Sequence, residues 1–129
     1  MHDKIINNHL KFLNHSSIVL TTAKTKILCD PWFNGTAFGN GWSLLNDNSH
    51  NINDIEFDYI WISHEHPDHF SIPTLLQLQK KCTFLFQETK DKKVKKFLEG
   101  KNHTVIELKH KEAVIFGDLE LTSITSDGY

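Results

Sequence analysis

Residues 64–69 carry the side chains of this chain with the clearest capacity for chemistry. They read His-Glu-His-Pro-Asp-His, which brings three imidazoles and one carboxylate within six positions. Imidazole and carboxylate groups are ligands that zinc and similar divalent cations prefer. The segment therefore predicts a metal site, and we call residues 64–69 the metal motif.

The spacing within the metal motif predicts which side chains act together. Pro67 disfavours a helical conformation at His66, and in an extended segment side chains two positions apart point the same way. His64 and His66 can therefore converge on one cation, while Asp68 and His69, beyond the bend, can reach a second one. The alternative is a histidine-rich surface loop that binds metals only opportunistically.

The predicted strands and helices place the metal motif at the end of a buried strand. The apolar run 57–62 predicts a strand ending just before the motif, where open α/β sheets carry their sites. Ser71 is expected to cap a helix with Pro73 in its first turn, and Thr89 to cap a lysine-rich helix that ends at Gly100. Further strands are expected at 10–13, 17–21, 26–29, 83–86, 103–108, 113–116 and 119–125, the last two joined by a hairpin turn at Gly117-Asp118.

A long segment, residues 31–53, separates two of these strands and is rich in Gly, Asn and Trp. A loop of this length in a compact domain is usually functional or disordered, and large aromatic side chains argue against disorder. Two roles stay open for Trp32, Phe38 and Trp42, which are candidates for an ordered substrate wall beside the metal motif and equally for packing in the hydrophobic core.

Length and composition restrict the class of protein. A chain of 129 residues fits one domain, and 39% hydrophobic with 23% charged residues is ordinary globular composition. A net charge of −2 lacks the basic surface of nucleic-acid-binding proteins, so no such partner is expected. No apolar run reaches the roughly 18 residues of a membrane span, and Cys29 and Cys82 in apolar runs predict free thiols in a cytoplasmic protein.

The strand, metal motif and helix, preceded by a hairpin ending in Asp30-Pro31, resemble the metallo-β-lactamase superfamily. Residues 30–32, 35–38, 41–45 and 59–75 are similar to the metallo-β-lactamase-like portion of the CMP-N-acetylneuraminate hydroxylase family. The resemblance implies an α/β (α+β) fold, the αββα sandwich, with Zn²⁺ at two sites and Fe or Mn as alternatives. The hydroxylases also carry a Rieske centre, which needs paired Cys and His motifs. Cys29 and Cys82 stand alone, so the oxygenase chemistry is not carried over.

The resemblance also implies roles for single residues. His64 and His66 match ligands of the first metal site, and Asp68 and His69 match ligands of the second. Asp68 would in addition act in catalysis by orienting the attacking hydroxide.

Three further residues match positions close to the metals and could support the ligands from behind. For Asp30 the alternative is a plain strand-ending turn, and for His15 it is structural packing. Asp127 falls where the later part of the family pattern begins. The family's remaining ligands lie beyond that point, so we expect residues 1–129 to be a single domain, the N-terminal half of a truncated sandwich.

The leading functional hypothesis is a metal-dependent hydrolase, active at full length, that attacks an ester or phosphodiester with metal-bound hydroxide. Its substrate would be a small molecule, such as a sugar nucleotide. One alternative is an iron-dependent oxygenase-type domain that receives electrons from a separate Rieske protein. The other is an inactive half-domain with under-coordinated cations. An oligomer is possible, because a second copy could cover the apolar face of a half-sandwich.

Overall fold

The computed structural model describes residues 8–47 and 49–125. Six strands form the central sheet: β1 His9–Asn14, β2 Ser17–Thr21, β3 Lys26–Cys29, β6 Tyr59–Ile62, β7 Thr83–Gln87 and β8 Thr104–Leu108. Two hairpins lie outside it, β4 Thr36–Ala37 with β5 Trp42–Ser43 and β9 Ala113–Phe116 with β10 Leu119–Thr122. The helices are a 3₁₀ turn Ile52–Asp54, α1 Ile72–Leu75 and α2 Lys93–Gly100.

The central sheet combines an antiparallel part and a parallel part. Its strand order is β1-β2-β3-β6-β7-β8, with β1, β2 and β3 antiparallel and β3, β6, β7 and β8 parallel. Because parallel strands all end at the same edge of a sheet, the segments that follow β3 and β6 lie side by side. This edge therefore receives both Asp30 and the metal motif.

Apolar side chains cover both faces of the parallel strands. On one face Leu28, Ile60 and Phe84 are fully buried in a core that includes Val94 and Leu98 of α2. This two-sided burial explains the nearly unbroken apolar runs of β6 and β7. None of the helices in the described ranges is long and apolar enough to cross a membrane.

The opposite face of the sheet is covered only in part. Ile27, Leu85 and Leu108 pack there against Phe116 of the β9–β10 hairpin. The same face continues onto β1, where Leu10 and Phe12 pair with Leu20 and Ile18 of β2. Leu10 is 64% exposed and Phe12 is 67% exposed, so the apolar surface at this side of the sheet faces solvent.

The β9–β10 hairpin has the two-residue turn at Gly117-Asp118 that the sequence predicts. The Asp118 carboxylate accepts hydrogen bonds from the hydroxyls of Thr22 and Thr25, at 2.6 and 2.8 Å. Gly117 has a φ of +62°, and a Cβ at this position would collide with the Thr25 hydroxyl. The turn thereby attaches the hairpin to the loop between β2 and β3.

Most predicted elements are confirmed, and the start of α2 is corrected. Ser71 caps α1 by accepting a hydrogen bond from the Thr74 amide, as predicted. Thr89 does not cap α2, because its hydroxyl donates to the carbonyl of Asp91. The Asp91 carboxylate accepts from the Lys93 amide at 2.9 Å, and the helix begins at Lys93.

Both cysteines are free thiols, as the sequence predicts. Cys82 is buried before β7, and Cys29 is half-buried at the end of β3. Burial and the neighbouring charge of Asp30 raise the pKa of Cys29 to about 12. This thiol is therefore neutral at physiological pH and a poor nucleophile or metal ligand.

His103 provides a test of how stability depends on pH. Its Nδ1 accepts a hydrogen bond from the Cys82 amide at 3.0 Å, and burial lowers its pKa below the ordinary value of 6.5. The unfolded chain therefore binds more protons here, so stability falls as pH drops through the ordinary value. Replacing His103 with asparagine keeps an acceptor oxygen but removes the titration. We expect His103→Asn to lose less stability than wild type between about pH 7.5 and 5.5, measured by urea denaturation. Equal losses of stability in wild type and His103→Asn would show that protonation of His103 does not contribute to the pH dependence.

Candidate metal centre

The metal motif lies in the loop between β6 and α1, at the edge where the parallel strands end. Its backbone turns back on itself, because the amides of His69 and Phe70 donate to the carbonyl of His66 at 2.9 and 2.7 Å. Pro67 is the second residue of this turn. The turn brings the second half of the motif back towards the first, as the sequence predicts.

Asp30 follows β3 and reaches across to the metal motif. Its amide donates to the Trp61 carbonyl at 2.9 Å, which extends the pairing of β3 with β6 by one residue. The carboxylate accepts from the amide and the hydroxyl of Ser63, at 2.7 and 2.6 Å. One of its oxygens also lies 2.9 Å from Nδ1 of His69. Asp30 therefore does more than end a strand, because it holds a predicted ligand in place.

The conformation of Asp30 is supported from below by Ser17. Asp30 has a φ of +44°, in the left-handed region that few residues adopt readily. The Ser17 hydroxyl donates to the Asp30 carbonyl at 2.7 Å and accepts from the Trp32 amide at 2.9 Å. Ser17 is fully buried, so these two bonds fix the turn that aims the carboxylate.

The hydrogen bonds around Ser63 select a tautomer for two of the histidines. With its hydrogen on Asp30, the Ser63 hydroxyl accepts from Nδ1 of His64 at 2.8 Å. His69 likewise donates from Nδ1 to Asp30. Both rings then carry their lone pair on Nε2, and this carboxylate–histidine arrangement is typical of metal-binding imidazoles.

The imidazole rings of the metal motif converge. The ring centroid of His64 lies 4.6 Å from that of His66 and 4.1 Å from that of His69. Burial, reinforced by the two neighbouring imidazoles, lowers the pKa of His64. The ring is therefore neutral at physiological pH, which is the form that binds a cation.

Asp68 has one carboxylate oxygen that is partnered and one that is not. Oδ2 lies 3.1 Å from Nε2 of His15 and 3.3 Å from Nε2 of His69. Oδ1 is buried and has no hydrogen-bond partner among the described residues. A buried carboxylate oxygen without a partner is costly, and a bound cation would satisfy it.

The charge state of Asp68 also suits a ligand. Burial by itself would raise the pKa of this carboxyl, but hydrogen bonding, chiefly from His15, lowers it below its ordinary value. Ligand atoms of His15, Asp68 and His69 all lie within 4.8 Å of one another. An anionic oxygen beside imidazole nitrogens is a donor set that fits a divalent cation.

The three aromatic residues predicted as a substrate wall occupy two different places. Trp32 is 1% exposed and packs edge-on against the ring of His15, with centroids 5.0 Å apart. It therefore supports the site from the core and is not available as a wall. Phe38 and Trp42 are 43% and 54% exposed, with ring centroids 5.2 Å apart. The Phe38 centroid lies 6.2 Å from that of His66, so Phe38 flanks the metal motif and Trp42 packs against Phe38.

One predicted site residue, Asp127, lies outside the described residues. Ser63 and Ser17 were not predicted as site residues, although both hold Asp30. The sequence offered one signal for them, because each is a small polar residue at the end of an apolar strand. Ser63 directly follows β6, and Ser17 begins β2.

The chain belongs to the β-lactamase superfamily domain family, which matches residues 9–128. This membership places it among metal-dependent enzymes. Cytidine monophosphate-N-acetylneuraminic acid hydroxylase of Danio rerio is 39% identical over 74 residues, which cover 56% of this chain and 12% of that protein. The Mus musculus hydroxylase is 36% identical over 74 residues, which cover 56% of this chain and 13% of that protein. The resemblance found in the sequence is thus confirmed, and the chain spans about an eighth of these relatives.

Two solved structures confirm the predicted fold. CmlA, a diiron β-hydroxylase from Streptomyces venezuelae, superposes with a TM-score of 0.68 at 18% identity, over 96% of this chain and 25% of CmlA. A possible metal-dependent hydrolase from Veillonella parvula gives 0.65 at 17% identity, over 89% of this chain and 45% of the other. The described sheet and helices thus correspond to part of a metallo-β-lactamase αββα sandwich.

Proposed function

We propose that this chain carries the first ligands of a metal-dependent hydrolase acting on an ester or phosphodiester. The observation that carries the proposal is the donor set around Asp68. This carboxylate has one buried oxygen without a partner among the described residues, and its other oxygen lies beside His69, whose Nδ1 is already hydrogen-bonded. A bound Zn²⁺ would lower the pKa of a coordinated water and polarise the carbonyl or phosphoryl group. His64, His66, Asp68 and His69 would hold the cations, divided over two sites as the motif spacing predicts.

The protein side chains would also bind and orient the substrate. Asp68, as an anionic carboxylate, can accept a hydrogen bond from the attacking water and direct it. Phe38 offers an exposed apolar ring beside His66, extended by the exposed ring of Trp42, against which a sugar or base can pack. The similarity to enzymes named for a cytidine monophosphate sugar acid supports a sugar nucleotide or another small phosphodiester as substrate.

Hydrolysis is tested with the His66→Ala variant of the intact protein. Wild type is expected to contain divalent metal and to cleave bis(p-nitrophenyl) phosphate or a p-nitrophenyl ester at equal rates with and without oxygen. His66→Ala is expected to lose both metal and hydrolysis, because it removes a ligand. His9→Ala, at the exposed start of β1, is the matched control and should behave as wild type. Equal hydrolysis by wild type and His66→Ala would contradict the proposal.

The iron-dependent oxygenase is the second candidate, and the relatives favour it. Cytidine monophosphate-N-acetylneuraminic acid hydroxylases match this chain at 36% to 39% identity, and CmlA is described as diiron. The same histidine and carboxylate ligands suit iron. Bound iron together with substrate turnover that stops without oxygen would support this candidate, whereas bound zinc with oxygen-independent hydrolysis would rule it out.

The partly covered sheet face supports a proposal about the domain. We propose that residues 1–129 form the N-terminal part of one sandwich, and that a second β-rich half packs on the face that carries Leu10 and Phe12. The solved relatives support this, because the chain covers 25% to 45% of their lengths. Further cation ligands would come from that second half.

A further inference from the structure

We infer that His15 is a positioning residue that orients the carboxylate of Asp68 for cation binding. The inference rests on the proposed metal centre and gives a role to a residue 53 positions earlier in the chain than Asp68.

The turn between β1 and β2 presents His15 in a fixed backbone conformation. The register of the two strands is interrupted between Phe12 and Asn14, and His15 has a φ of +50°. Asn14 is buried, and its side-chain amide donates to the Asn46 carbonyl and the Ser49 hydroxyl, at 2.9 and 2.8 Å. A left-handed residue of this kind persists only where its surroundings determine it.

The other side of the same turn is held by Ser17, which bonds to both sides of the Asp30–Trp32 segment. Trp32 in turn packs edge-on against the His15 ring at 5.0 Å. His15 is therefore tied to the same framework that aims Asp30 at His69. One framework thus sets the position of His15 and of the metal motif.

The His15 ring uses this position to occupy one oxygen of Asp68. Its Nε2 lies 3.1 Å from Oδ2, while Oδ1 is buried without a partner among the described residues. With Nε2–H donating, the His15 ring fixes the orientation of the carboxylate through Oδ2, and the lone pairs of Oδ1 remain available for a cation. Metal-binding carboxylates are generally hydrogen-bonded in this way, and loss of such a partner weakens metal affinity by roughly 10- to 100-fold.

A competing role for His15 is that of a ligand. Its Nε2 would then carry a lone pair instead of a hydrogen and would itself bind the cation. The two roles differ in what can replace the ring, since an amide N–H can donate to Asp68 but cannot substitute for an imidazole lone pair.

The experiment compares three variants of the intact protein in titrations with Co²⁺, whose visible absorption bands report the number and type of ligands. His15→Phe preserves packing on Trp32 but removes the donor. His15→Gln places an amide N–H near the position of Nε2. His9→Phe, at the exposed start of β1, is the matched control.

His15→Phe is expected to weaken binding of one Co²⁺ by roughly 10- to 100-fold at unchanged stoichiometry. His15→Gln should recover affinity to within a few-fold and show the wild-type absorption bands. Wild-type affinity in His15→Phe would overturn the inference. The inference would also be overturned if His15→Gln bound Co²⁺ as weakly as His15→Phe and showed altered absorption bands. That result would identify His15 as a ligand. If wild type binds no Co²⁺, both the inference and the proposed metal centre fail. If all variants bind Co²⁺ as wild type does, only the positioning role of His15 is refuted.

Discussion

Replacing Asp68 with asparagine is expected to lower the affinity for the cation it faces by roughly 100-fold or more. A four-ligand zinc site is worth about 10–16 kcal/mol, so one ligand accounts for about 3 kcal/mol, or roughly 100-fold. Asparagine has the shape of aspartate, but its amide group cannot both accept a hydrogen bond from His15 and bind the cation through oxygen. If its oxygen accepts from His15, its NH₂ group points at the cation, and the reverse orientation opposes two N–H groups.

Zinc titration of the intact protein measures this loss, and thermal unfolding without metal shows whether the fold is retained. Asp54→Asn is the matched control, because Asp54 is an exposed carboxylate of the 3₁₀ turn. We expect Asp68→Asn to keep the fold without metal but to unfold at a somewhat lower temperature than wild type, because the anionic acceptor of His15 is lost and an NH₂ group replaces Oδ1 at a buried position. Wild-type zinc affinity in Asp68→Asn would show that Asp68 is not a ligand.

The parts of the fold that the sequence predicts are those set by local pattern. β6 and β7 are buried on both faces, so their apolar runs identify them. Ser71 caps α1 through a contact within three residues, and the metal motif is itself a local cluster. The start of α2 was predicted wrongly because the prediction rested on the residue type of Thr89 alone, and the structure shows the Asp91 carboxylate bonded to the Lys93 amide at the start of the helix.

The supporting contacts of the site could not be predicted, because they depend on which strands become neighbours. Asp30 lies 33 positions from Ser63 and 39 from His69. They meet only because β3 pairs in parallel with β6, a choice that no local pattern in the sequence expresses. The same holds for His15 and Asp68. The burial of Trp32 behind the His15 ring follows from this packing and corrects its prediction as a substrate wall.

Replacing Asp30 with alanine is expected to destabilise the fold by about 3 kcal/mol and to weaken metal binding at His69. The carboxylate accepts from the Ser63 amide, the Ser63 hydroxyl and His69, and a donor left without its partner costs about 1–3 kcal/mol. Alanine also tolerates the φ of +44° less well than aspartate. Asp30→Asn keeps one acceptor oxygen and the preference for this conformation, so it should lose less unfolding free energy than Asp30→Ala. Urea denaturation without metal measures both variants, and a loss below about 1 kcal/mol for Asp30→Ala would refute the expectation.

A double-mutant cycle with Ser63→Ala shows whether Asp30 and Ser63 act as one unit. Ser63→Ala removes the hydroxyl but keeps the amide that donates to Asp30. Because both single variants break the same hydroxyl–carboxylate bond, the double variant should lose less than the sum, with a coupling of about 1–2 kcal/mol. Additive losses within about 0.3 kcal/mol would mean that the two residues act independently. A measured coupling would show that the edge formed by β3 and β6 builds the ligand geometry before any cation binds, because the cycle is run on the metal-free protein.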